Sequence, residues 1–403
     1  MSQLSYMEKL LDGVEVEWRT LGEIVEFRRG SFPQPYGESR WYDGKDSMPF
    51  VQVADVSDEG FLLNKKTKHQ ISVLAQPKSI FVETGTVIVS LQGTIGRVAI
   101  TQYDCYVDRT LAIFTNYKRD INKKYFAYQL KSKFDLEKKH ARGSTLKTIT
   151  KAEFSNFQIP IPPLNVQDEI VRTLDTFTEL TAELTAELTA RQQQYAYYRE
   201  QLLTFEEGEI EWKTLGEVSQ YSKERIGYEQ LNEKNYVGVN NLLQDKAGKE
   251  NSSHVPTKGN STKYQENDIL IGNIRPYLKK IWQADCTGGT NGDVLVIHIT
   301  DEAVLPRYLY QILADDSFFN YNMQYAKGAK MPRGDKAKIM EYKIPIPPLD
   351  EQQRIVSILD KFDTLTTSLT EGLPREIELR QQQYEYYRDL LLSFPKPEVV
   401  AHD

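Results

Sequence analysis

Two short loops hold the residues best suited to chemistry in this chain. Arg142-Gly-Ser-Thr-Leu-Lys147 and Lys327-Gly-Ala-Lys-Met-Pro-Arg333 set cations beside a glycine, and together with backbone amides and the hydroxyls of the first loop they can cradle phosphates. From these loops the expected nucleic-acid contacts are Ser144, Thr145 and Lys147, then Lys330 and Arg333. Other polar residues in glycine-punctuated turns join them. These are Arg28 and Arg29 in an Arg-Arg-Gly turn, Gln92 and Arg97 around Gly93, and, in the second half of the chain, Asn273, Arg275, Tyr277, Lys279 and Asn291. Arg, Lys, Asn and Gln are the types that read base edges, whereas surface lysines mostly fix the backbone. Each of these positions also fits an ordinary solvated loop, and Arg275, between Ile274 and Pro276, also fits a structural role.

Catalytic patterns are missing by contrast. The sequence holds no G-x-x-x-x-G-K-[ST] loop, no H-E-x-x-H, no G-x-S-x-G and no Asn-Pro-Pro-aromatic of the kind that grips a flipped base. Gly93-Thr-Ile-Gly96 lacks the third glycine of a dinucleotide loop and reads as a tight turn between two strands. Cys105 and Cys286 are the only cysteines and the five histidines are scattered, so neither a disulfide framework nor a zinc cluster can be assembled. No metal site and no cofactor is expected on this chain. MSQLSYMEKLLDG has no basic or apolar leader region, and no window of about 18 apolar residues occurs. A cytoplasmic chain that does not span a membrane is expected.

The net charge of -7 argues against a nucleic-acid partner until it is divided along the chain. Residues 18–160 hold 22 Lys and Arg against 15 Asp and Glu, and residues 212–348 hold 18 against 16. The acid lies elsewhere, with 3 against 11 in residues 164–211 and 6 against 11 in residues 349–403. Eleven of the cations fall between Lys118 and Lys151, interleaved with Tyr125, Phe126, Tyr128 and Phe134, which read as the buried face of a helix.

Repeats supply those boundaries. Trp18-Arg-Thr-Leu-Gly-Glu-Ile24 recurs as Trp212-Lys-Thr-Leu-Gly-Glu-Val218, FQIPIPPLNVQDEIVRTLDTF at 157–177 as YKIPIPPLDEQQRIVSILDKF at 342–362, and RQQQYAYYREQLLTF at 191–205 as RQQQYEYYRDLLLSF at 380–394. The chain is a tandem duplication. After each Pro-Pro, apolar residues recur every three or four positions (Ile170, Leu174, Phe177, Leu180, Leu184 in the first copy), which predicts helices of about 42 residues, the second broken near Gly372 and Pro374. A lone helix of that length would leave its apolar stripe in water, so the two copies are expected to pack as an antiparallel coiled coil. The basic blocks carry short β-rich runs, at 87–89, 98–100, 269–271 and 294–297, and helical patterns at about 122–139 and 306–322, which predicts α+β domains.

With the paired PIPPL–helix junctions, the LTAELTAEL tract at 180–188 and the paired RQQQY-x-YYR ends, the sequence resembles the specificity subunits of type I restriction-modification enzymes, and the TAEL tract points to the type IC branch. Tyr6-Met-Glu-Lys-Leu-Leu11 also echoes Tyr198-Arg-Glu-Gln-Leu-Leu203, as in that family's circularly arranged repeats. The resemblance spans essentially the whole chain. It implies two α+β target-recognition domains related by a pseudo-two-fold axis, at 18–160 and 212–345, each reading half of a split DNA sequence. It also implies helical spacers at 161–211 and 346–403, completed by the segment 1–17.

The spacers would dock two modification subunits carrying S-adenosylmethionine for adenine methylation. Two restriction subunits using ATP and Mg would add cleavage, while this chain performs no catalysis. Tyr197 and Tyr386, beside outward-facing acids, are the expected docking residues because exposed tyrosines are favoured at interfaces. The competing readings are a scaffold joining two protein-binding domains and a self-contained methyltransferase or nuclease. Sequence-dependent DNA binding and activity in isolation would separate them.

Overall fold

A computed structural model describes residues 9–395, apart from 12, 59, 141–150, 207 and 369–370, and only the backbone at 138–140 and 151. The chain divides into two compact units, Met1–Ala182 with Leu379–Asp403, and Glu183–Glu378.

In the first unit, strand Glu17–Thr20 pairs antiparallel with Gln158–Ile161, placing Trp18 opposite Pro160. The Thr-Leu-Gly-Glu of the repeat then starts a one-turn helix, Leu21–Ile24. Thr20 is its N-cap, and the Glu23 carboxylate accepts from the Thr20 backbone N–H at 2.8 Å. That backbone bond, with the Thr20 hydroxyl, holds the Glu23 carboxyl below its ordinary range. The second unit repeats the device with Glu211–Thr214 against Lys343–Ile346 and the Thr214–Glu217 box at 2.6 Å. The recurring motif is thus a strand followed by a helix cap.

Each unit contains two four-stranded sheets. The first unit's main sheet runs Val25–Arg29, Leu111–Tyr117, Val87–Ser90, Val98–Ile100, all antiparallel. Alternation along these strands divides the core. Val87, Val89, Ala112 and Phe114 face the helix Lys123–His140 and its buried Tyr125, Phe126 and Phe134, whereas Ile88, Ile113 and Ala99 face the second sheet through Val51, Val82 and Val107. A sheet covered on both faces explains why these strands read as continuous apolar runs.

The second unit repeats the arrangement with Ser219–Tyr221, Val294–Ile299, Ile269–Gly272 and Ile281–Gln283. Ile269, Ile271 and Ile297 face its helices, and Leu270 and Val296 face its other sheet. The helix expected at 306–322 is two, Pro306–Leu313 and Asp316–Gln324. Asp315 ends the first turn run and caps the second helix by accepting from Ser317 N.

The smaller sheets differ at their edges. In the first unit Met48–Val51 runs parallel to Cys105–Val107 and carries an extra strand, His69–Ile71. In the second, the parallel strand Tyr236–Val237 is itself the edge, and the extra strand, Arg225–Gly227, lies at the opposite side beyond Asn260–Tyr264.

The central helix is continuous from Leu164 to Leu203. Its counterpart is interrupted as expected, into Leu349–Thr367 and Gly372–Leu392, where a Cβ on Gly372 would lie 2.3 Å from the Thr364 carbonyl oxygen. Both PIPPL junctions are locked by a buried glutamine. Gln167 donates to Pro162 O at 2.8 Å and accepts from Asn122 N at 2.9 Å; Gln352 donates to Pro347 O at 2.9 Å and accepts from Leu305 N at 2.9 Å.

Within the first unit Phe177 stacks on Tyr387, and within the second Phe362 stacks on Tyr195 and Tyr198. Along the TAEL tract Leu180, Leu184 and Leu188 are half-buried, and no residue from 178 to 190 is fully buried. Among the described residues no helix is long and apolar enough to cross a membrane.

Candidate nucleic-acid interface

In the second unit, three loops carrying predicted contacts are stitched together at one end of the main sheet. Asn273 N donates to Asp293 O at 2.8 Å, Arg275 N to Pro332 O at 2.7 Å, and Gly334 N to Asn273 O at 3.2 Å, while Ile274 forms a bridge with Arg333. Asn273, Arg275, Tyr277, Lys279, Asn291, Lys330 and Arg333 therefore belong to one platform. Arg275, Tyr277, Lys330 and Arg333 are exposed on it. Arg275 and Lys279 sit in the left-handed region at φ 53° and 49°, a conformation that costs a non-glycine residue about 1 kcal/mol or more and persists only where neighbours over-determine it. Here the bonds to Pro332 and Lys246 do so.

The platform's charges are partly engaged. Arg333 pairs with Asp293 at 2.9 Å, and Lys279 and Lys246 both bind Asp316 at 2.8 and 3.0 Å. Against the opposing effect of burial, those two lysines hold the Asp316 carboxyl below its ordinary range. Asn273 is buried rather than presented. Its Oδ1 has no hydrogen-bond partner, nor do Oδ1 and Nδ2 of the buried Asn322 on the neighbouring helix. Asn291 uses its Oδ1 to accept from Asp293 N at 3.1 Å, an Asx turn that shapes the loop.

The first unit's set is placed less uniformly. Arg28 and Arg29 are exposed, but on the edge strand Val25–Arg29 rather than in a turn, because the ladder continues through them in register with Ile113 and Ala112. The turn begins at Gly30, where a Cβ would meet Val107 O at 2.1 Å. Gly93-Thr-Ile-Gly96 is the tight connection between two strands, closed by Gly96 N donating to Ser90 O at 2.9 Å, and Gln92 is half-buried beside it.

Arg97 is occupied. It pairs with Asp58 at 2.7 Å and donates to the carbonyls of Val53 and Val56 at 3.3 Å, so its fork ties down the 53–58 segment instead of facing a groove. Ser144, Thr145 and Lys147 lie outside the described residues. The lysine-rich helix is likewise mostly engaged, with Lys123 on Gly85 O, Lys124 on Asp175, Lys131 on Asp135 and Lys133 on Glu137.

One loop escaped the sequence reading. Asp108–Thr110, between strands Cys105–Val107 and Leu111–Tyr117, is the first unit's counterpart of 291–293, with the same Asx turn, in which Thr110 N donates to Asp108 Oδ1 at 2.9 Å. It presents an exposed arginine, Arg109. The signal for it in the sequence is the equivalence of the two inter-strand loops, Asp108–Thr110 in one copy and Asn291–Asp293 in the other.

On the helices, Tyr197 is 60% and Tyr386 54% exposed, each edge-on to its inward neighbour, Tyr198 or Tyr387. In both copies the adjacent tyrosine stacks on a phenylalanine, Tyr198 on Phe362 at 41% exposure and Tyr387, half-buried, on Phe177, while the outer tyrosine is the more exposed of the two. Among the described residues no group of three His, Cys, Asp or Glu side chains is placed to hold a metal. Burial pushes the Cys105 thiol up to about 12, which keeps it protonated and poorly nucleophilic at neutral pH.

A family model for the type I restriction modification DNA specificity domain matches residues 13–191 and again 207–379. The type I restriction enzyme EcoR124I/EcoR124II specificity subunit of Escherichia coli is 37% identical over an alignment covering 100% of both chains. A putative type I restriction enzyme specificity subunit of Haemophilus influenzae is 32% identical over 97% of this chain and 98% of its own. Among solved structures, the type I restriction-modification S subunit from M. genitalium gives a TM-score of 0.56 at 15% identity, covering 96% of this chain and 98% of that one. A chain solved in work on complex assembly of the type I R-M system gives 0.60 at 15% identity, covering 94% and 98%. The two family matches fall on the two structural copies, and the two curated relatives align over nearly the whole of both chains. The chain therefore belongs to the specificity subunits of type I restriction-modification systems, non-catalytic subunits with two DNA-recognition domains.

Proposed function

We propose that the recognition domains, at 18–160 and 212–345, each read one half of a bipartite DNA sequence through the loops at the end of the main sheet. The observation that carries this reading is repetition. In both copies the same sheet end presents arginines that meet no carboxylate among the described residues, Arg28 and Arg29 in one and Arg275 in the other. Elsewhere arginines such as Arg19, Arg199 and Arg307 are ion-paired. Guanidinium groups that meet no carboxylate among the described residues, held at a strand end in one copy and on a rigid loop in the other, suit a polyanion whose base edges accept hydrogen bonds.

The helices, in this proposal, dock two modification subunits, with Tyr197 and Tyr386 as contacts, and two restriction subunits complete the cleaving complex. S-adenosylmethionine, ATP and Mg would be held by those subunits. The LTAELTAEL tract sets the unread spacer between half-sites, as in the type IC branch. Its half-buried leucines at four-residue steps support this, because four more residues add about 6 Å of helix and nearly preserve the apolar face.

Methylome mapping in a host that carries this chain with its modification subunit tests the proposal. A split motif is expected, and inserting Thr-Ala-Glu-Leu after Leu188 should lengthen the spacer by about one or two base pairs with both half-sites unchanged. An undivided motif refutes the two-domain reading. An unchanged spacer at full activity refutes the ruler.

A further inference from the structure

Arg109 is built unlike the other exposed cations of the first unit. Its loop is pinned on every side: Asp108 N donates to Val51 O at 3.0 Å, Leu111 N to Asp108 O at 3.0 Å, and Leu91 N to Thr110 O at 2.9 Å. The Asp108 carboxylate is buried and fully engaged, accepting from Thr110 N and its hydroxyl on one oxygen and from the Tyr36 hydroxyl on the other. It is therefore not an ion-pair partner for its neighbour. Gln52 donates to the Tyr36 hydroxyl at 3.1 Å, which fixes the ring, and the Arg109 guanidinium lies 5.5 Å from that ring's centre. Arg109 makes no salt bridge among the described residues, and its side chain is exposed.

An arginine on a rigid loop, its guanidinium within cation–π range of a fixed aromatic ring and without an ion-pair partner among the described residues, is restrained in a way that suits planar, bidentate recognition. The surroundings point the same way. Gly30 is pressed against this loop, its missing Cβ 2.1 Å from Val107 O and 2.5 Å from Asp108 O, so the strand end bearing Arg28 and Arg29 abuts it. In the second unit the same Asx turn holds Gly292, which offers no side chain. The two domains thus differ in donor equipment at a matching place, as two modules reading different sequences would.

We propose that Arg109 reads a base in the half-site taken by the first domain, its fork directed at the paired acceptors that guanine presents in the major groove, with Tyr36 as its positioning residue. This rests on the DNA-reading function proposed above. A phosphate contact would need charge but not a held plane, and Lys would serve it equally.

The test uses the assembled complex with its modification subunit and compares the parent, Arg109→Ala, Arg109→Lys and Tyr36→Leu by methylome sequencing and salt-dependent DNA binding. Arg109→Ala and Arg109→Lys should both relax one position of one half-site, with discrimination there falling roughly 5- to 150-fold and the other half-site intact. Arg109→Lys should keep the parent's salt dependence, because the charge remains. Tyr36→Leu should relax the same position more weakly. A parent complex that methylates without sequence preference would refute the DNA-reading function itself. A parent with a clear motif that Arg109→Ala leaves unchanged, or weakens equally on all sequences, would overturn the Arg109 assignment alone.

Discussion

Replacing Arg199 by Met tests how the central helix is fastened to the second recognition domain. Arg199 is only 8% exposed and donates to Asp315 Oδ2 at 3.1 Å, to the Tyr195 hydroxyl and Gln311 Oε1 at 2.7 Å, and to the Gln311 carbonyl. Two of these acceptors keep other partners when the guanidinium is removed. The Tyr195 hydroxyl still donates to Asp363, and Asp315, whose side chain is partly exposed, keeps Ser317 N at 2.9 Å on Oδ1 while its Oδ2 is open to water. The loss falls on the two oxygens of Gln311, which is wholly buried. Each orphaned buried acceptor costs about 1–3 kcal/mol. Met keeps the packing of the stem and removes the burial of a charge, so a net loss of about 3 kcal/mol is expected, near the lower half of that sum.

Amide hydrogen exchange read by mass spectrometry resolves the effect by segment. Peptides from 306–314 and 355–365 should exchange roughly 100-fold faster, whereas peptides from 87–117 in the other unit should not change. Arg388 is the matched control, since it holds the same place in the RQQQY repeat but pairs with Asp389 beside it at 2.7 Å on a partly exposed helix face. Arg388→Met should cost about 0–1 kcal/mol. Exchange in the Arg199→Met variant within about threefold of the parent, or equal effects for the two substitutions, would refute the reasoning.

Gly334→Ala places a Cβ 2.3 Å from Asn322 Oδ1 and 2.8 Å from Asn273 Oδ1, both buried, so it should cost about 1–3 kcal/mol and blur the motif of the second half-site alone, as read by methylome sequencing. Asp316→Asn should free Lys246 and Lys279, and the slope of log affinity against log salt for DNA should steepen by about 1 to 2. The folded-state pKa of Asp316 is lowered, so its tether is complete above the ordinary carboxylate range and lost only as pH falls through the lowered value. Binding should therefore show no step from this group between about pH 8 and pH 5. The double variant Tyr197→Ala with Tyr386→Ala should weaken assembly with the modification subunit by about 2 kcal/mol or more in a titration, while leaving the chain folded; unchanged affinity removes these residues from the interface.

Much of the architecture was legible because it is carried by periodicity and repetition. The strands at 87–90, 98–100, 269–272 and 294–299 fall where apolar runs lie between turn residues, and the break near Gly372 follows from local backbone rules. The smaller sheets were not foreseen, since strands of two to five residues such as Tyr236–Val237 and Cys105–Val107 carry too short a pattern. The split at Asp315 was hidden because apolar spacing through Tyr308, Ile312 and Phe319 runs on across the cap. Site residues were harder still. Arg97 sits in a glycine turn that looks open in sequence, yet its partners are 39 to 44 residues away and only folding brings them together. Arg109 lacks a flanking glycine and so carries no turn signal in the sequence, although among the described residues the fold leaves it without an ion-pair partner.

The paired strands that begin and end each recognition domain have a genetic corollary. Glu17–Thr20 against Gln158–Ile161 and Glu211–Thr214 against Lys343–Ile346 bring the chain out beside the place where it went in, in the same four-residue register. Each domain is therefore an insertion on a two-stranded stem, and the stems coincide with the repeated Trp-x-Thr-Leu-Gly-Glu and Pro-Ile-Pro-Pro-Leu segments. Crossovers in the DNA encoding those segments would exchange a whole domain with both of its connections, leaving in place Gln167 and Gln352 with their bonds to Pro162 and Pro347, and requiring of the incoming domain only a backbone N–H where Asn122 or Leu305 now donates. A lineage could thus change one half of what it recognises in a single recombination, without having to find compatible substitutions across the rest of the chain.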